Sequence, residues 1–289
     1  MTRPLATGSN ASQIEFWNGV AGDLWAGDAF AACQDRAQGP FGEAAMDALG
    51  LQPGQHVLDV GCGCGSTTFE LSRRVGPSGH VLGVDISTPQ LERAQRYAEA
   101  LGNAVVAFRN QDVATLQFEA ESFDRTFSRF GVMFFAQPVG AFANIRSGMK
   151  RGGRLAFSCW PSVEHNPWSA HTIAVATRYL PKPKPPGPAD PGGLSFRDPA
   201  LVKRILSEAG FARIEITLVE RAMTFEPDIA GTVAQLIQYG AMAPAIAQAS
   251  EDIRESIKAD LGEAIRDYQT PGGVMIDGAA WIVTAQCSA

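Results

Sequence analysis

The chain has 289 residues, 45% of them hydrophobic, and a formal net charge of −6. This size allows one large globular domain with a full core, whereas the acidic balance and the scattered basic residues argue against a nucleic-acid surface, which needs clustered Lys and Arg. No uninterrupted apolar run reaches the roughly 18 residues of a membrane span, so no membrane partner is expected. The odd number of cysteines, five, and the lack of a signal-like start predict a cytoplasmic protein without disulfides.

Residues 1–40 lie ahead of the regular part of the chain and are predicted to form a helical N-terminal cap. This cap contains Trp17 and Trp25, which are interpreted either as its own core or as aromatic contacts that close over a ligand. Residues 41–289 are predicted to form the main domain, with insertions at 161–197 and 226–276. The second insertion is predicted to be largely helical and to act as a substrate cap.

Strand-like apolar runs alternate with amphipathic helical patterns from residue 55 onward. Helices are predicted to begin near residues 66, 87, 141 and 199. Strands are predicted at 56–60, 80–84, 105–108, 123–128, 154–160, 213–219 and 279–285. This alternation is typical of an α/β fold, here a Rossmann-like, doubly wound, seven-stranded and mostly parallel sheet. Gly152-Gly153 is predicted to be a turn, and the prolines of 181–188 predict an exposed polyproline-like loop.

A glycine-rich turn follows the first predicted strand. Gly61, Gly63 and Gly65 allow the backbone to approach a ligand where a Cβ would clash. The helix that begins at about Ser66 directs its free N–H groups into the same crevice. Asp59, just before the glycines, disfavours a pyrophosphate and favours an ammonium group. The turn therefore predicts a nucleotide-type site for a ligand that carries an amine.

Acidic and basic residues end the next strands. Asp85 stands 24 positions after Gly61, at the end of the second strand, where a carboxylate can accept both hydroxyls of a ribose. Asp112 follows the third strand and Arg129 ends the fourth. Each acid alone is also compatible with a solvated turn. Arg129 is compatible with an ion pair to Asp112 or Asp124, or with contact to an anionic substrate. Since the carboxyl ends of parallel strands share one edge of a sheet, the set predicts a ligand site there.

Together these motifs resemble a class I S-adenosylmethionine-dependent methyltransferase of the methyltransferase-type-11 group, over about residues 40–220 and the final strand. The resemblance implies S-adenosyl-L-methionine as the cofactor, with its methionine part on the glycine turn, its ribose on Asp85 and its adenine amino group on Asp112. It also implies that Ser128 and Arg129 border the substrate and that the cap closes over the cofactor. The cofactor-binding residues implied in this way are Asp59, Gly61, Cys62, Gly63, Gly65, Asp85, Ile86, Gln111, Asp112, Val113, Ser128, Arg129, Trp17 and Trp25.

The methyl acceptor is predicted to be a small, partly apolar molecule that receives the methyl group by in-line displacement. The two insertions are rich in apolar and aromatic residues, and the predicted acceptor pocket consists of Phe130, Met133, Trp168 and Tyr239. His165 and His171 lie in the first insertion, after the carboxyl end of the fifth strand, and are the candidate general bases for a phenol or amine. A packed or exposed histidine is the alternative for both.

Two other functions are compatible with parts of this sequence. A non-catalytic S-adenosylmethionine-binding sensor or assembly protein remains an alternative, as does, less favoured, an NAD-dependent oxidoreductase. The oxidoreductase is disfavoured because the glycine spacing is more compact than Gly-x-Gly-x-x-Gly and because Asp59 sits badly near a pyrophosphate. Cys62 and Cys64 have poor zinc spacing and are interpreted as small buried residues, so no metal is expected. A homodimer is one expectation for how the protein assembles.

Overall fold

The structure, a computed structural model, describes residues 4–183, 187 and 190–288. Its strands are β1 His56–Val60, β2 His80–Asp85, β3 Val106–Asn110, β4 Phe123–Arg129, β5 Met149–Cys159, β6 Phe211–Thr224, β7 Gln269–Thr270 and β8 Gly273–Cys287. Seven of them form a sheet in the order β3-β2-β1-β4-β5-β8-β6, and the two-residue β7 pairs only with β8. The predicted α/β fold with a seven-stranded, mostly parallel sheet is confirmed.

The direction of the strands places a crevice at the end of β1. Strand β1 pairs in parallel with β2 on one side and β4 on the other, and β3 and β5 extend the two halves in parallel. Strand β8 runs antiparallel to both β5 and β6. Because the chain leaves β1 toward β2 and later returns to β4 on its opposite side, the strand order reverses at β1, which is where open α/β sheets bind ligands.

Eleven α-helices lie among the described residues. They are α1 Ala11–Trp17, α2 Val20–Ala26, α3 Asp28–Leu49, α4 Ser66–Val75, α5 Thr88–Leu101, α6 Pro138–Gly148, α7 Pro167–Ala176, α8 Pro199–Glu208, α9 Ile229–Leu236, α10 Ala243–Ala247 and α11 Glu251–Ala264. Helix α6 begins earlier than predicted because Pro138 is its first residue, where the missing N–H costs nothing. The predicted turn at Gly152-Gly153 is wrong, since these residues lie inside β5, where Gly152 adopts a φ of 71°.

Helix α3 joins the N-terminal segment to the sheet. It runs without interruption across residue 40, where the sequence predicted the end of the cap. Its C-terminal part packs Ala45, Met46 and Leu49 onto β1 and β4 in a second cluster of buried apolar residues. The helix therefore belongs to the core of the main domain as well as to the cap.

The two predicted insertions differ in content. The first contains α7, and its predicted polyproline-like loop falls partly on residues 184–186 and 188–189, which lie outside the described residues. The second contains α9, α10 and α11, but β8 already begins within it, at Gly273. None of the helices in the described part of the chain is long and apolar enough to cross a membrane.

Candidate active site

A cavity of about 870 Å³ lies at the carboxyl ends of the parallel strands. One part of its wall comes from the ends of β1, β2 and β4 and from the segments that follow β3 and β5, and another part from α1, α2 and α3. The segments that follow α9, between residues 237 and 247, complete the wall. The sheet edge, the N-terminal helices and both predicted insertions therefore meet around one space.

The glycine turn owes its shape to close packing. Gly61 has a φ of 67°, and a Cβ there would lie 2.9 Å from Cα of Gly131 in the turn after β4. Gly65 has a φ of 84° and precedes α4, and a Cβ there would approach Ala94 and Phe108 to 3.0 Å. Gly61 and Gly63 line the cavity, as predicted for a ligand turn, whereas Gly65 does not. The third glycine is thus required by helix and strand packing rather than by an approach to the cavity.

Asp59 lies inside the turn and not on the cavity wall. Its side chain is fully buried, and its carboxylate accepts hydrogen bonds of 2.7 Å from the hydroxyls of Thr67 and Thr68 in the first turn of α4. Burial raises the pKa of Asp59 to about 6, although the two threonine hydroxyls and Arg129 act in the opposite direction. The structure does not show the predicted direct contact of this carboxylate with the ligand space. It shows a carboxylate that ties β1 to α4.

Asp85 closes the turn from the second strand. One of its oxygens accepts the backbone N–H of Gly63 and the other that of Ser87, each at 2.8 Å. Burial raises the pKa of Asp85, while these backbone hydrogen bonds lower it. Asp85 and the neighbouring Ile86 both line the cavity. Since an ionised carboxylate has about four acceptor positions, Asp85 keeps acceptor positions beyond these two hydrogen bonds.

Asp112 is held by a residue that the sequence did not reveal. The side-chain amide of Asn10 donates to both oxygens of Asp112, at 3.0 and 2.9 Å, and its carbonyl oxygen accepts the N–H of Ala136 at 2.9 Å. Asn10 and Asp112 are both buried and line the cavity together with Gln111 and Val113. The only signal for Asn10 in the sequence was its position before a helix, which indicates a cap rather than a contact across the fold.

Arg129 forms an ion pair that differs from both predicted pairs. Its guanidinium donates to Asp35 of α3 at 2.6 Å and to the hydroxyl of Ser66 at 3.1 Å. All three residues line the cavity, whereas the neighbouring Ser128 is buried behind the wall and accepts the N–H of Gly131. The structure therefore places Arg129, but not Ser128, where a ligand can reach it. The predicted border role of Ser128 is not supported.

The aromatic residues of the cap pack against one another and also form part of the cavity wall. Trp17 lies edge-on to Trp25 and to Phe134, with ring centroids 5.4 and 5.2 Å apart. All three rings line the cavity. The two interpretations of Trp17 and Trp25 are thus compatible, because the same rings make the core of the cap and its inner surface.

The remaining part of the cavity has aromatic walls, and we call it the acceptor chamber after the pocket predicted from the sequence. Phe130 stacks on Trp160 with ring centroids 3.9 Å apart, and Trp168 stacks on Tyr239 at 5.0 Å. Met133 lies beside them and receives the backbone N–H of Trp160 on its sulfur. The four residues predicted for the acceptor pocket all line this chamber. Trp160, at the end of β5, was missed because it read only as the last residue of an apolar strand.

The two candidate histidine bases do not line the cavity. His165 is exposed, and Nε2 of His171 lies 3.2 Å from the hydroxyl of Tyr268, a residue that does not line the cavity either. Helix α7 presents Trp168 to the chamber instead. The other two histidines stand side by side at the start of β1 and β2, at the opposite edge of the sheet. The prediction of a histidine general base is therefore not supported by the structure.

The two cysteines of the glycine turn are free thiols on the cavity wall. Cys62 is buried, and Cys64 is half-buried with its thiol directed at the carbonyl of Trp25. Burial raises the pKa of Cys62 and raises that of Cys64 to about 12. Both side chains are thus neutral near pH 7 and serve as small apolar wall atoms.

Comparison with known families settles which class of α/β protein this is. A family model described as a methyltransferase domain (Methyltransf_31) matches residues 51–210. The chain belongs to the methyltransferase domain family. This match confirms the predicted resemblance to class I S-adenosylmethionine-dependent methyltransferases, although the matching model is not the type-11 group named above.

Two named relatives are methyltransferases of small molecules. Aklanonic acid methyltransferase DauC of Streptomyces sp. is 34% identical over 119 residues, which make up 41% of this chain and 54% of the relative. Nocamycin O-methyltransferase of Saccharothrix syringae is 28% identical over 183 residues, 61% of this chain and 65% of the relative. The match to the first relative thus spans about half of its length.

A solved structure shows the same fold. Phosphoethanolamine N-methyltransferase 2 of Haemonchus contortus, solved with S-adenosyl-L-methionine, superimposes with a TM-score of 0.54 over 98% of this chain and 58% of its own, at 17% identity.

The residues on the cavity wall of this methyltransferase-domain protein fit the family's cofactor. A carboxylate with free lone pairs, Asp85, stands at the end of β2, where it suits a vicinal diol. The adenine side has the carboxylate of Asp112 beside the apolar Val113. The Asp35 and Arg129 pair presents both charges that an amino-acid zwitterion requires. The set of polar groups therefore matches adenosine at one end and methionine at the other.

Proposed function

We propose that this protein transfers a methyl group from S-adenosyl-L-methionine to a small, flat, partly apolar molecule. One observation carries the proposal: a single cavity of about 870 Å³ joins the glycine turn and Asp85 to the aromatic acceptor chamber. The relatives named for aklanonic acid and nocamycin support an acceptor of low molecular mass. Donor and acceptor therefore share one space in which they can be aligned.

When bound, S-adenosyl-L-methionine supplies an activated methyl group with a good leaving group. The chain's own residues would hold the two ends of this cofactor. Asp85 would accept the ribose hydroxyls, and Asp112 would accept the adenine amino group. Arg129 and Asp35 would bind the carboxylate and the ammonium group. Asp59 acts through the turn, because it fixes the start of α4 against β1.

The acceptor chamber contributes alignment and exclusion of water. The stacked pairs Phe130 with Trp160 and Trp168 with Tyr239 form flat apolar walls that favour a planar acceptor. Holding two reactants in line is the largest part of what a displacement of this kind requires from a protein. An acceptor that ionises readily, or that needs no base, fits this chamber, since none of the histidines among the described residues lines it.

The proposal also covers the location and the assembly of the protein. A cytoplasmic location without a nucleic-acid partner is supported by five free cysteines and by the net charge of −6. A homodimer stays a prediction from the sequence.

Calorimetry with two cofactors tests the proposal. The protein should bind S-adenosyl-L-methionine with one site per chain and should not bind NAD. Asp85→Ala should weaken this binding about 10- to 100-fold, since hydrogen bonds to a charged group are lost. Asp277→Ala is the control, because this carboxylate is exposed on β8, away from the cavity wall, and its loss should leave binding unchanged. Binding of NAD without binding of S-adenosyl-L-methionine would contradict the proposal.

A further inference from the structure

Two buried glutamines of α3 face the acceptor chamber. Gln34 and Gln38 stand four residues apart, so they share one face of the helix. Their side chains are only 4% and 3% exposed, and both line the cavity. The amide nitrogen of Gln38 donates to the carbonyl oxygen of Gln34 and, at 3.2 Å, to the hydroxyl oxygen of Tyr239. The three side chains thus form one connected polar network beside the stacked aromatic rings.

This network leaves two donors unused. The carbonyl oxygen of Gln34 is engaged by Gln38, but the amide nitrogen of Gln34 has no partner among the described residues. Tyr239 accepts a hydrogen bond from Gln38 at 3.2 Å, and no described residue accepts a hydrogen bond from its own O–H. A buried donor without a partner is costly and rare, so the amide nitrogen of Gln34, next to the half-buried hydroxyl of Tyr239 on a cavity wall, indicates a ligand atom that completes the network.

Other buried amide side chains on the cavity wall do not have an unpaired nitrogen. Asn166 is also buried on the cavity wall, yet its oxygen accepts from Trp168 and from the N–H of Ala279, and its nitrogen donates to the carbonyl of Ala279. Asn10 is likewise bonded through both of its amide atoms. Only Gln34, of these three amides, keeps a buried nitrogen unpaired.

Tyr239 is suited to donate rather than to accept a proton. Burial raises the pKa of its hydroxyl well above the usual range, and the hydrogen bonds from Trp160 and Gln38 offset this only in part. The phenol therefore keeps its proton across the physiological pH range and cannot serve as a general base there.

We propose that the amide nitrogen of Gln34 and the hydroxyl of Tyr239 form a donor pair that binds a carbonyl oxygen on the methyl acceptor. The stacked rings beside them require that this carbonyl be carried by a flat molecule. The substrate class is thus a planar aromatic or conjugated ketone whose oxygen points at α3. This assignment rests on the proposed function, because it names the acceptor of the same cavity.

Three matched naphthol probes test the donor pair. These are 6-hydroxy-2-acetonaphthone, 6-ethyl-2-naphthol and 6-(1-hydroxyethyl)-2-naphthol, which differ only in carrying a ketone, a methylene or an alcohol. Their binding is measured by quenching of tryptophan fluorescence, since Trp17, Trp25, Trp160 and Trp168 line the cavity. The native protein should bind the ketone about tenfold more tightly than the ethyl probe. It should also prefer the ketone to the alcohol.

Variants locate the source of this preference. Gln34→Leu and Tyr239→Phe should each reduce the ratio of ketone to ethyl affinity toward one, with thermal melting to show that they fold. Tyr268→Phe is the matched control, since this tyrosine is also half-buried but contacts His171 outside the cavity, and it should retain the ratio. Equal affinity for ketone and ethyl probes, a preference for the alcohol, or an unchanged ratio in both variants would overturn the donor pair.

The experiment distinguishes a failure of the donor pair from a failure of the proposed function. The readout is binding of the probe, so a protein that transfers no methyl group would still show the preference for the ketone. Conversely, methyl transfer without any preference for the ketone would overturn the donor pair alone.

Discussion

Asp59 shows how one buried carboxylate can stabilise a ligand turn without touching the ligand space. One oxygen of its carboxylate accepts hydrogen bonds from two hydroxyls of α4. The other oxygen has no partner among the described residues. A buried charge with incomplete compensation is costly. The residue therefore positions the glycine turn at some expense of stability.

The pH dependence of stability tests this view of Asp59. Its pKa is raised from 3.8 to about 6, so the folded protein binds this proton more tightly than the unfolded chain does. Ionisation of Asp59 therefore opposes folding, and its cost appears as the pH rises from about 4 to about 6 and is complete above that. Asp59→Asn should gain stability relative to the native protein over this window, by roughly 2–3 kcal/mol at pH 7. Urea unfolding of the ligand-free protein at several pH values measures the difference.

Asp124 provides a control of opposite sign. Burial raises its pKa, but the hydrogen bonds from Lys150 and from the N–H of His56 outweigh burial, and its pKa is lowered overall. Asp124→Asn should therefore be less stable than the native protein by an amount that is fully present above the unfolded pKa of 3.8 and that disappears as the pH falls through the lower folded pKa. A flat difference between the native protein and Asp59→Asn from pH 4 to pH 7 would contradict the account of Asp59.

The sequence predicted the charged site residues that follow a strand and missed polar residues that reach the cavity from the N-terminal segment. Asp85, Asp112 and Arg129 were predictable because a residue at the carboxyl end of a parallel strand has only one edge of the sheet on which to lie. Asn10 and Gln34 reach the same cavity from helices whose docking depends on contacts across the whole fold. No local pattern of residues encodes such a contact.

At the scale of elements, the N-terminal helices are fastened to the sheet through a few polar contacts. Asn10 bridges Asp112, after β3, to Ala136, after β4. Asn18 donates to the carbonyl of Ile86 at 2.7 Å and accepts the N–H of Thr88. These bonds seat α1 and α2 on the cofactor side of the cavity.

Hydrogen exchange tests whether Asn10 fastens α1. Asn10→Ala removes its two hydrogen bonds to a carboxylate, so amides of α1 should lose protection by about 10- to 100-fold while those of β1 remain unchanged. Asn103→Ala serves as the control, because Asn103 bonds to Ser72 and to the N–H of Val105, far from the cap. Unchanged protection of α1 in Asn10→Ala would show that apolar packing alone holds the helix.

Helix α7 illustrates why the sequence did not show whether its histidine reaches the cavity. The position of this helix, after β5 and above the sheet edge, followed from the topology, but the face that it turns inward did not. Its apolar residues lie on several sides, and the side with Trp168 meets the chamber while His171 meets Tyr268. Without a clear amphipathic pattern, the sequence cannot indicate which residues of such a helix reach a site.

At the scale of the whole molecule, one apolar core joins the sheet to its insertions. Phe142 of α6 is fully buried and contacts Phe135, Phe157 of β5, Phe196 of the first insertion and Phe211 of β6. The insertion that contributes to the acceptor chamber therefore shares its core with the strands that carry the cofactor side.

Removal of this ring should destabilise the entire chain. Phe142→Ala should lower the free energy of unfolding by about 3–5 kcal/mol, with the insertion and the sheet unfolding together. Tyr97→Ala, on the exposed side of α5, should cost less than about 1 kcal/mol. Chemical denaturation followed by both tryptophan fluorescence and circular dichroism checks this. Two separate transitions would show that the insertion folds independently.

The most direct test of the central claim follows the methyl group itself. The protein is incubated with methyl-labelled S-adenosyl-L-methionine and a panel of flat phenols and conjugated ketones, and label in the solvent-extractable product is counted, with Asp85→Ala as the control. We expect label in the product of at least one planar ketone, and much less with the variant. Cofactor bound by calorimetry with no label transferred to any acceptor would contradict a methyltransferase and support a non-catalytic binding protein.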